Sequence, residues 1–317
     1  MRVPPLAISR WPIGVVFLFV LLSFAHSTEV CRSQSHANNQ DPIRINVELV
    51  VLHAAVLDRK RRPVAGLGKA NFQIYENGVL QEIESFSHED IPVTVGLVID
   101  NSGSMRPKRA EVIAAALAFA HSSNPKDQLF LVNFNEHVSF GLPADRPFTD
   151  EVAQLEIALS TLTANGKTAL YDAVAAALAH LKQSKRDKQV LIVISDGADN
   201  ASRYDAAQVL AAAKQSEAII YAIGIYEQDD PDRNPGSLKQ LAKATGGEAF
   251  LPTSVKDVTS ICERIARDIR SQYTLTYTPT NIKYDGKYRS IEVKAEAPGR
   301  GRLFVRTRAG YYAPLRP

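Results

Sequence analysis

Hydrophobic and polar positions follow two different periods along this chain. Between residues 91 and 270, continuous apolar runs alternate with segments whose apolar residues recur at helical spacing. Such apolar runs are typical of strands that are buried on both faces of a parallel sheet. We therefore predict an α/β fold for this region, a Rossmann-like, doubly wound, mostly parallel sheet with helices on both faces. The predicted strands are residues 93–99, 128–134, 138–140, 189–194, 218–225 and 248–251.

The helical segments lie between these strands. Pro107 suits the first turn of the first helix, and Thr149 or Asp150 is expected to cap the second. Apolar residues recur along one side of each segment, so each helix is expected to cover the sheet. The predicted helices are residues 107–120, 152–162, 168–181, 204–216, 238–244 and 255–269.

The regions on either side, residues 44–90 and 271–317, alternate with the period of two that is typical of half-buried strands. Asn77-Gly78 lies between two such runs and predicts a hairpin, and Asp285-Gly286 predicts another. Each region is too small to bury a core alone. We therefore predict that the two antiparallel β segments pack together as one β-sandwich.

The N-terminus has the pattern of a secretory signal peptide. Arg2 and Arg10 precede a short apolar run at residues 13–22, and small residues follow near position 27. We predict a signal peptide over residues 1–27 and a polar, flexible leader over residues 28–43. The expected location is the periplasm, the cell surface or the medium, with membrane attachment only if the signal segment is not cleaved.

The composition excludes several classes of function. A chain of 317 residues with 45% hydrophobic and 22% charged residues is an ordinary globular protein. A net charge of +3 is too small to indicate nucleic-acid binding, and the seven histidines lack the spacing of a zinc site. Cys31 and Cys262 are the two cysteines, and no bridge is predicted because Cys262 lies on the apolar side of a helix.

Two charged runs are interpreted as solvated loops. The basic run at residues 59–62 joins two strands, where a turn is expected more often than a patch for an anionic surface. The acidic run at residues 227–232 could hold a second cation, but a loop above the sheet is the preferred interpretation.

Oxygen-bearing side chains follow two of the predicted strands. Asp100, Ser102 and Ser104 come directly after the central strand, Asp196 follows another, and Thr168 opens a helix. Ligands in a doubly wound sheet bind beyond the C-terminal strand ends where the winding direction switches. Both carboxylates face one crevice there if their strands are neighbours. Carboxylate and hydroxyl oxygens suit Mg²⁺ or Mn²⁺ better than zinc, and taken alone the first loop could equally be a helix cap.

This pattern resembles the metal-ion-dependent adhesion site of von Willebrand factor type A domains over residues 91–270. The resemblance implies that Ser102, Ser104 and Thr168 supply hydroxyl ligands, and that Asp100 and Asp196 bind directly or through water. It further implies a protein partner that contributes an acidic side chain to the Mg²⁺ or Mn²⁺ ion. The flanking segments resemble secreted, von Willebrand factor A-related proteins of acidobacteria.

The sequence does not contain a complete nucleotide-binding or hydrolase motif of the two kinds considered. Gly166-Lys167-Thr168 resembles the end of a phosphate-binding loop, but Thr161 stands where the first glycine is required, and a helix precedes it. No Gly-x-Ser-x-Gly elbow is present. We predict a non-enzymatic adhesion or scaffolding protein. The alternatives are an envelope scaffold without an essential metal and a metal-dependent, phosphatase-like hydrolase with Asp100 as nucleophile.

Overall fold

The fold is described from a computed structural model. The structure describes residues 49–161, 163–226 and 234–315. The predicted signal peptide, the leader with Cys31 and the acidic loop at residues 227–232 lie outside them. Within the described residues, no helix has the length and apolar character needed to cross a membrane.

The described residues form strands and helices close to the predicted positions. The strands are β1 (Val50–Leu57), β2 (Phe72–Glu76), β3 (Val79–Gln81), β4 (Ser85–Ser87), β5 (Thr94–Asp100), β6 (Gln128–Phe134), β7 (Val138–Phe140), β8 (Gln189–Ser195), β9 (Ile219–Gly224), β10 (Ala249–Phe250), β11 (Tyr273–Tyr277), β12 (Tyr288–Ala295), β13 (Phe304–Arg306) and β14 (Gly310–Tyr312). The α-helices are α1 (Arg109–Ser122), α2 (Val152–Ser160), α3 (Leu170–Leu181), α4 (Ala206–Gln215), α5 (Pro235–Thr245) and α6 (Val258–Arg270).

A six-stranded sheet in the order β10-β9-β8-β5-β6-β7 forms the middle of the chain. Its neighbouring strands are parallel, except for β6 and β7 at one edge. Asp100 on β5 pairs with Phe134 on one side, and Ile99 pairs with Ile194 of β8 on the other. Because the winding direction reverses at β5, the C-terminal ends of β5 and β8 border one crevice. The predicted doubly wound sheet is confirmed.

Two hydrophobic cores hold the helices on opposite faces of this sheet. Every residue of β5 is buried, as its apolar run predicts. Successive side chains of a strand point to opposite faces. Leu97 and Ile99 therefore join a core with α1, α2 and α6, whereas Val98 joins a core with α3, α4 and α5. Cys262 on α6 is fully buried in the first core, which confirms that it acts as a small hydrophobic residue.

The starts of the first two helices differ from the prediction. α1 begins two residues after Pro107, which lies in a short 3₁₀ turn. The cap predicted for α2 at Thr149 or Asp150 is wrong, because Glu151 occupies the cap position and makes no side-chain capping bond. Thr149 instead exchanges backbone hydrogen bonds with Leu129 of β6, at 2.6 and 2.8 Å, which holds it upstream of the helix.

The flanking segments form two antiparallel sheets, ordered β13-β1-β11-β4 and β14-β12-β2-β3. In the first sheet β1 pairs with β11, and in the second β2 pairs with β12, so each sheet combines strands from both ends of the chain. Leu52 and Tyr273 of the first sheet share a core with Ile74 and Val293 of the second. The predicted β-sandwich is confirmed.

One of the two predicted hairpin turns is wrong. Asn77 and Gly78 join the paired strands β2 and β3 with φ of 48° and 80°, as a type I′ turn requires. Gly286 also has a positive φ, of 65°. However, the strands that Asp285 and Gly286 connect, β11 and β12, belong to different sheets. The turn residues were identified correctly, but the partner of each strand is set by the sandwich.

Candidate metal centre

The first carboxylate of the site ends the central strand. Asp100 is the last residue of β5 and is 2% exposed. Its Oδ1 accepts a hydrogen bond from the backbone N–H of Ser102 at 2.8 Å, and its Oδ2 accepts one from Ser195 Oγ at 2.6 Å. Ser195 ends β8, so the neighbouring strand orients this carboxylate. Ser195 was not among the predicted site residues, although its position directly before Asp196 was an available signal.

The second carboxylate, Asp196, lies directly after β8 and is 1% exposed. Its Oδ1 accepts from the backbone N–H of Ala198 at 3.1 Å, and its Oδ2 accepts from the hydroxyl of Ser104. The Oγ atoms of Ser102 and Ser104 lie 3.1 Å apart. Ser104 is exposed on the 3₁₀ turn, whereas Ser102 is buried. These residues, with Asp100, form one hydrogen-bonded cluster that opens to solvent at Ser104.

Thr168 joins the cluster through its backbone. Its N–H donates to Asn200 Oδ1 at 2.9 Å, and its carbonyl accepts from the N–H groups of Asn200 and Ala201. The residue is 3% exposed, and its hydroxyl makes no hydrogen bond with any other described residue. The structure therefore places Thr168 against the loop that follows Asp196, with a hydroxyl oxygen that is free to bind.

The loop after β8 also caps α3, which sequence reasoning missed. Ala169 at the cap position of α3 has no capping side chain. Instead, Asp199 Oδ2 accepts from the N–H of Tyr171 at 2.9 Å, and Ser202 Oγ accepts from the N–H of Asp172 at 3.0 Å. This capping from a distant loop fixes the start of α3, and with it Thr168, relative to Asp196.

Close backbone contacts hold the remaining loop of the site. The N–H of Gly103, between the two serines, donates to the carbonyl of Gly166 at 3.1 Å. Gly166 has φ of 77°, and a Cβ at this residue would lie 1.7 Å from a carboxylate oxygen of Glu136. That oxygen accepts from the N–H of Lys167 at 2.6 Å. Glycine at 166 thus allows Glu136 to pin the segment that carries Thr168.

The electrostatics of the cluster favour a bound cation. Burial, and then the nearby Asp196 carboxylate, raise the pKa of Asp100 to about 6, against hydrogen bonds from Ser195 and Ser102. Within the described residues, no Lys, Arg or His forms a salt bridge with either carboxylate. Two buried carboxylates without a basic partner are unfavourable unless another positive charge is present.

A family model describes the part of the chain that contains this cluster. The model of the von Willebrand factor type A domain matches residues 95–198. The matched segment begins in β5 and ends just after Asp196, so it includes all five predicted site residues. Over residues 95–198, this chain is similar to the von Willebrand factor type A domain. A search of curated proteins finds no match.

Solved structures with similar folds share little sequence with this chain. A von Willebrand factor type A protein from Catenulispora acidiphila is 14% identical, with a TM-score of 0.50 over 86% of this chain and 75% of that one. The vWF domain of the type V pili tip protein Mfa5 from Porphyromonas gingivalis is 16% identical, with a TM-score of 0.48 over 57% and 95%. The pilus adhesin SpaC from Lactobacillus rhamnosus GG is 12% identical, with a TM-score of 0.48 over 78% and 48%. At 14% identity, the similarity to the Catenulispora acidiphila protein supports a shared fold and nothing more.

The donor set of the cluster fits a hard divalent cation. Asp100 and Asp196 offer carboxylate oxygens, and the two serines and Thr168 offer hydroxyl oxygens, which suit Mg²⁺ and Mn²⁺. Within the part of the chain that the structure describes, no group of three or more His, Cys, Asp or Glu could hold a metal. Any ion at this cluster would therefore depend on hydroxyl ligands and water to complete its shell.

A polar groove of about 260 Å³ adjoins the cluster. Asn101, between Asp100 and Ser102, forms part of its wall, together with residues at the ends of β6 and β7. Asn133 in this wall is 9% exposed, and its buried Oδ1 has no hydrogen-bond partner. The groove is a polar surface beside the candidate metal cluster.

Proposed function

We propose that this protein binds a protein partner through a Mg²⁺ or Mn²⁺ ion held by Asp100, Ser102, Ser104, Thr168 and Asp196. Its role is adhesion or scaffolding outside the cytoplasm, after export by the N-terminal signal peptide. The observation that carries the proposal is the pair of buried carboxylates at the ends of adjacent central strands, joined by hydroxyls and without a basic partner among the described residues.

Each residue has a distinct part in this function. Asp100 and Asp196 supply the negative charge that attracts the ion, and Ser195 and the Ser102 N–H hold the first carboxylate in place. The ion when bound supplies positive charge and open coordination positions. Because two carboxylates only just neutralise a divalent ion, an acidic side chain from a partner would replace a water at an open coordination position and leave the site with a single negative charge. Ser104 lies at the exposed mouth, where that side chain would arrive.

The same contacts argue against the hydrolase alternative. A phosphoryl-accepting carboxylate must present an oxygen to its substrate. Asp100 is 2% exposed, which leaves little room for a phosphorylated substrate to reach its oxygens, whereas a single ion is small enough to do so. Among the described residues, no histidine ring donates to or accepts from Ser102 or Ser104. The cluster is thus better suited to hold an ion than to carry out turnover.

The first test measures metal binding by thermal unfolding with added Mg²⁺ or Mn²⁺, and by titration calorimetry. At an ion concentration about 100 times Kd, binding stabilises the fold by about 2.7 kcal/mol. This corresponds to a rise in Tm of about 5–10 °C for a unit of this size. Asp196→Asn should lose that rise, while its metal-free Tm stays equal or increases because one of two close buried charges is removed.

Asp150→Asn is the matched control, because it removes an exposed carboxylate outside the cluster. It should keep the full response to Mg²⁺. An equal metal response in the wild type and Asp196→Asn, or no response in the wild type, would contradict the metal-binding proposal.

The second test concerns the partner. Capture of a protein from an envelope extract should require Mg²⁺, stop in EDTA and return when Mg²⁺ is restored. It should be lost in Asp196→Asn and kept in Asp150→Asn. Capture that is insensitive to both EDTA and the Asp196 substitution would instead support an envelope scaffold without an essential metal.

A further inference from the structure

Two basic loops that are far apart in sequence meet at one end of the sandwich. The first is the turn after β1, with Arg59, Lys60, Arg61 and Arg62, and the second lies before β13, with Arg300 and Arg302. All six side chains are exposed, and together we call them the basic patch. The two loops are about 240 residues apart in the chain, so only the folded structure brings their charges together.

Strand pairing and side-chain contacts bring the loops together. Leu57 at the end of β1 pairs with Phe304 at the start of β13. The guanidinium carbons of Arg61 and Arg302, one from each loop, lie over the Phe304 ring at 5.3 and 5.1 Å from its centroid. The Nε of Arg59 lies 3.9 Å from the position that a Cβ would take at Gly301. The patch is therefore a single surface.

The first loop has a defined conformation. Asp58 Oδ1 accepts from the N–H groups of Lys60 and Arg62 at 2.8 and 2.9 Å, and Asp58 Oδ2 accepts from Arg62 Nε at 2.8 Å. Arg61 has φ of 59°, a left-handed conformation that an arginine seldom adopts. Asp58 thus fixes the backbone of this turn and the side chain of Arg62.

Most of the positive charge in the patch is uncompensated. Asp58 pairs with Arg62 at 2.8 Å. The other five cations make no salt bridge with any residue that the structure describes. Clustered cations of this kind repel one another and attract a polyvalent anion.

The shape of the patch indicates the kind of anion. Arg62 and Arg300 line a groove of about 400 Å³, and Arg302 lines a groove of about 830 Å³; Leu303 contributes to both. A flexible chain can enter such grooves, whereas a flat lipid surface cannot. Nucleic acids commonly stack bases on free aromatic rings, but two guanidinium groups already lie over Phe304.

We propose that the basic patch binds an acidic polysaccharide. Guanidinium groups form paired hydrogen bonds with carboxylates and phosphates, and both occur as substituents of acidic sugars. Because the cations are spread over two loops, they can contact several anionic groups along one polysaccharide chain. This surface belongs to the sandwich and is independent of the metal cluster.

Binding is measured with full-length protein in EDTA, so that the metal cluster makes no contribution. The probes are polygalacturonate for carboxylate groups, a phosphomannan for phosphate groups, and neutral dextran as a control. Vesicles containing phosphatidylglycerol test a membrane surface. The variants are R300Q/R302Q and R59Q/R61Q, with K182Q/K185Q as a control that removes two exposed charges elsewhere. Circular dichroism and Tm confirm that each variant folds.

We expect the wild type to bind at least one acidic polysaccharide and not dextran, with an affinity that falls as salt rises. Each patch variant removes two cations and should lose about 25-fold in affinity, since one cation near an anionic surface contributes about fivefold. The control variant should stay within about twofold. The proposal is overturned if neither polysaccharide binds, if both patch variants bind as the wild type does, or if vesicles bind more tightly than either polysaccharide.

Discussion

Arg306 on β13 connects the sandwich to the α/β unit. Its guanidinium group donates to the carboxylates of Glu248 and Asp268, and its Nε donates to the carbonyl of Gly246 at 3.1 Å. Its side chain is 18% exposed, and that of Asp268 is 10% exposed. Arg306→Met would keep much of the side-chain volume but remove the salt-bridge partner of Asp268.

The expected cost follows from this burial. Breaking a buried pair by removing one partner costs about 3–5 kcal/mol. The lower end applies here, because Glu248 is 29% exposed and can recover hydration. We therefore expect a loss of about 3 kcal/mol in the free energy of unfolding, or a fall in Tm of about 6–12 °C. Urea denaturation and thermal unfolding measure the two quantities.

Arg203→Met provides the comparison. Arg203 is 91% exposed, and its partner Asp172 keeps hydrogen bonds from two backbone N–H groups, so the expected loss is below about 1 kcal/mol. Asp268→Asn combined with Arg306→Met should cost less than the sum of the single changes. If Arg306→Met costs no more than Arg203→Met, or if the two changes are additive, the network does not hold the two parts together as described.

Three further changes test the electrostatics and the packing. Burial, and then the charge of Lys188, lower the pKa of His53 to about 3. As the pH falls, the unfolded chain therefore protonates His53 before the folded chain does, and the free energy of unfolding decreases below about pH 6.5. His53→Gln should remove up to about 2 kcal/mol of that loss between pH 6.5 and pH 5, measured by urea unfolding at each pH. Gly96→Ala would place a Cβ 2.3 Å from the ring of Phe130, so we expect a loss of about 1–3 kcal/mol in the same assay. Gly197→Ala, where φ is 81°, should cost about 1–2 kcal/mol and weaken Mg²⁺ binding in calorimetry by shifting the loop after Asp196.

The parts of the fold that the sequence predicts are those with a local cause. Residues 95–99 of β5 form a continuous run without polar side chains, and the Asn77-Gly78 turn depends on two adjacent residues. The Asp285-Gly286 turn shows the limit of such reasoning. Its glycine has the expected positive φ, but the partners of β11 and β12 come from the other end of the chain.

The candidate site shows the same limit. The strand ends at Asp100 and Asp196 could be predicted from pattern, because an acid follows each apolar run. The hydrogen bond from Ser195 to Asp100 depends on the register between β5 and β8, and the capping of α3 by Asp199 depends on a loop 28 residues downstream of Tyr171. Both contacts join residues that are distant in sequence, so hydrophobic periodicity within one segment cannot predict them. Binding of an ion at the cluster stays a prediction.

The metal cluster is negatively charged and the basic patch is positively charged, so binding at each should be disrupted by a different treatment. EDTA should abolish partner capture at the cluster but leave polysaccharide binding at the patch intact. Raised salt should strongly weaken polysaccharide binding at the patch, because its cations are exposed. It should affect binding at the buried cluster less. Asp196→Asn should impair the first activity alone, and R300Q/R302Q the second alone. If either variant impairs both activities, the protein has one extended binding surface instead of two independent ones.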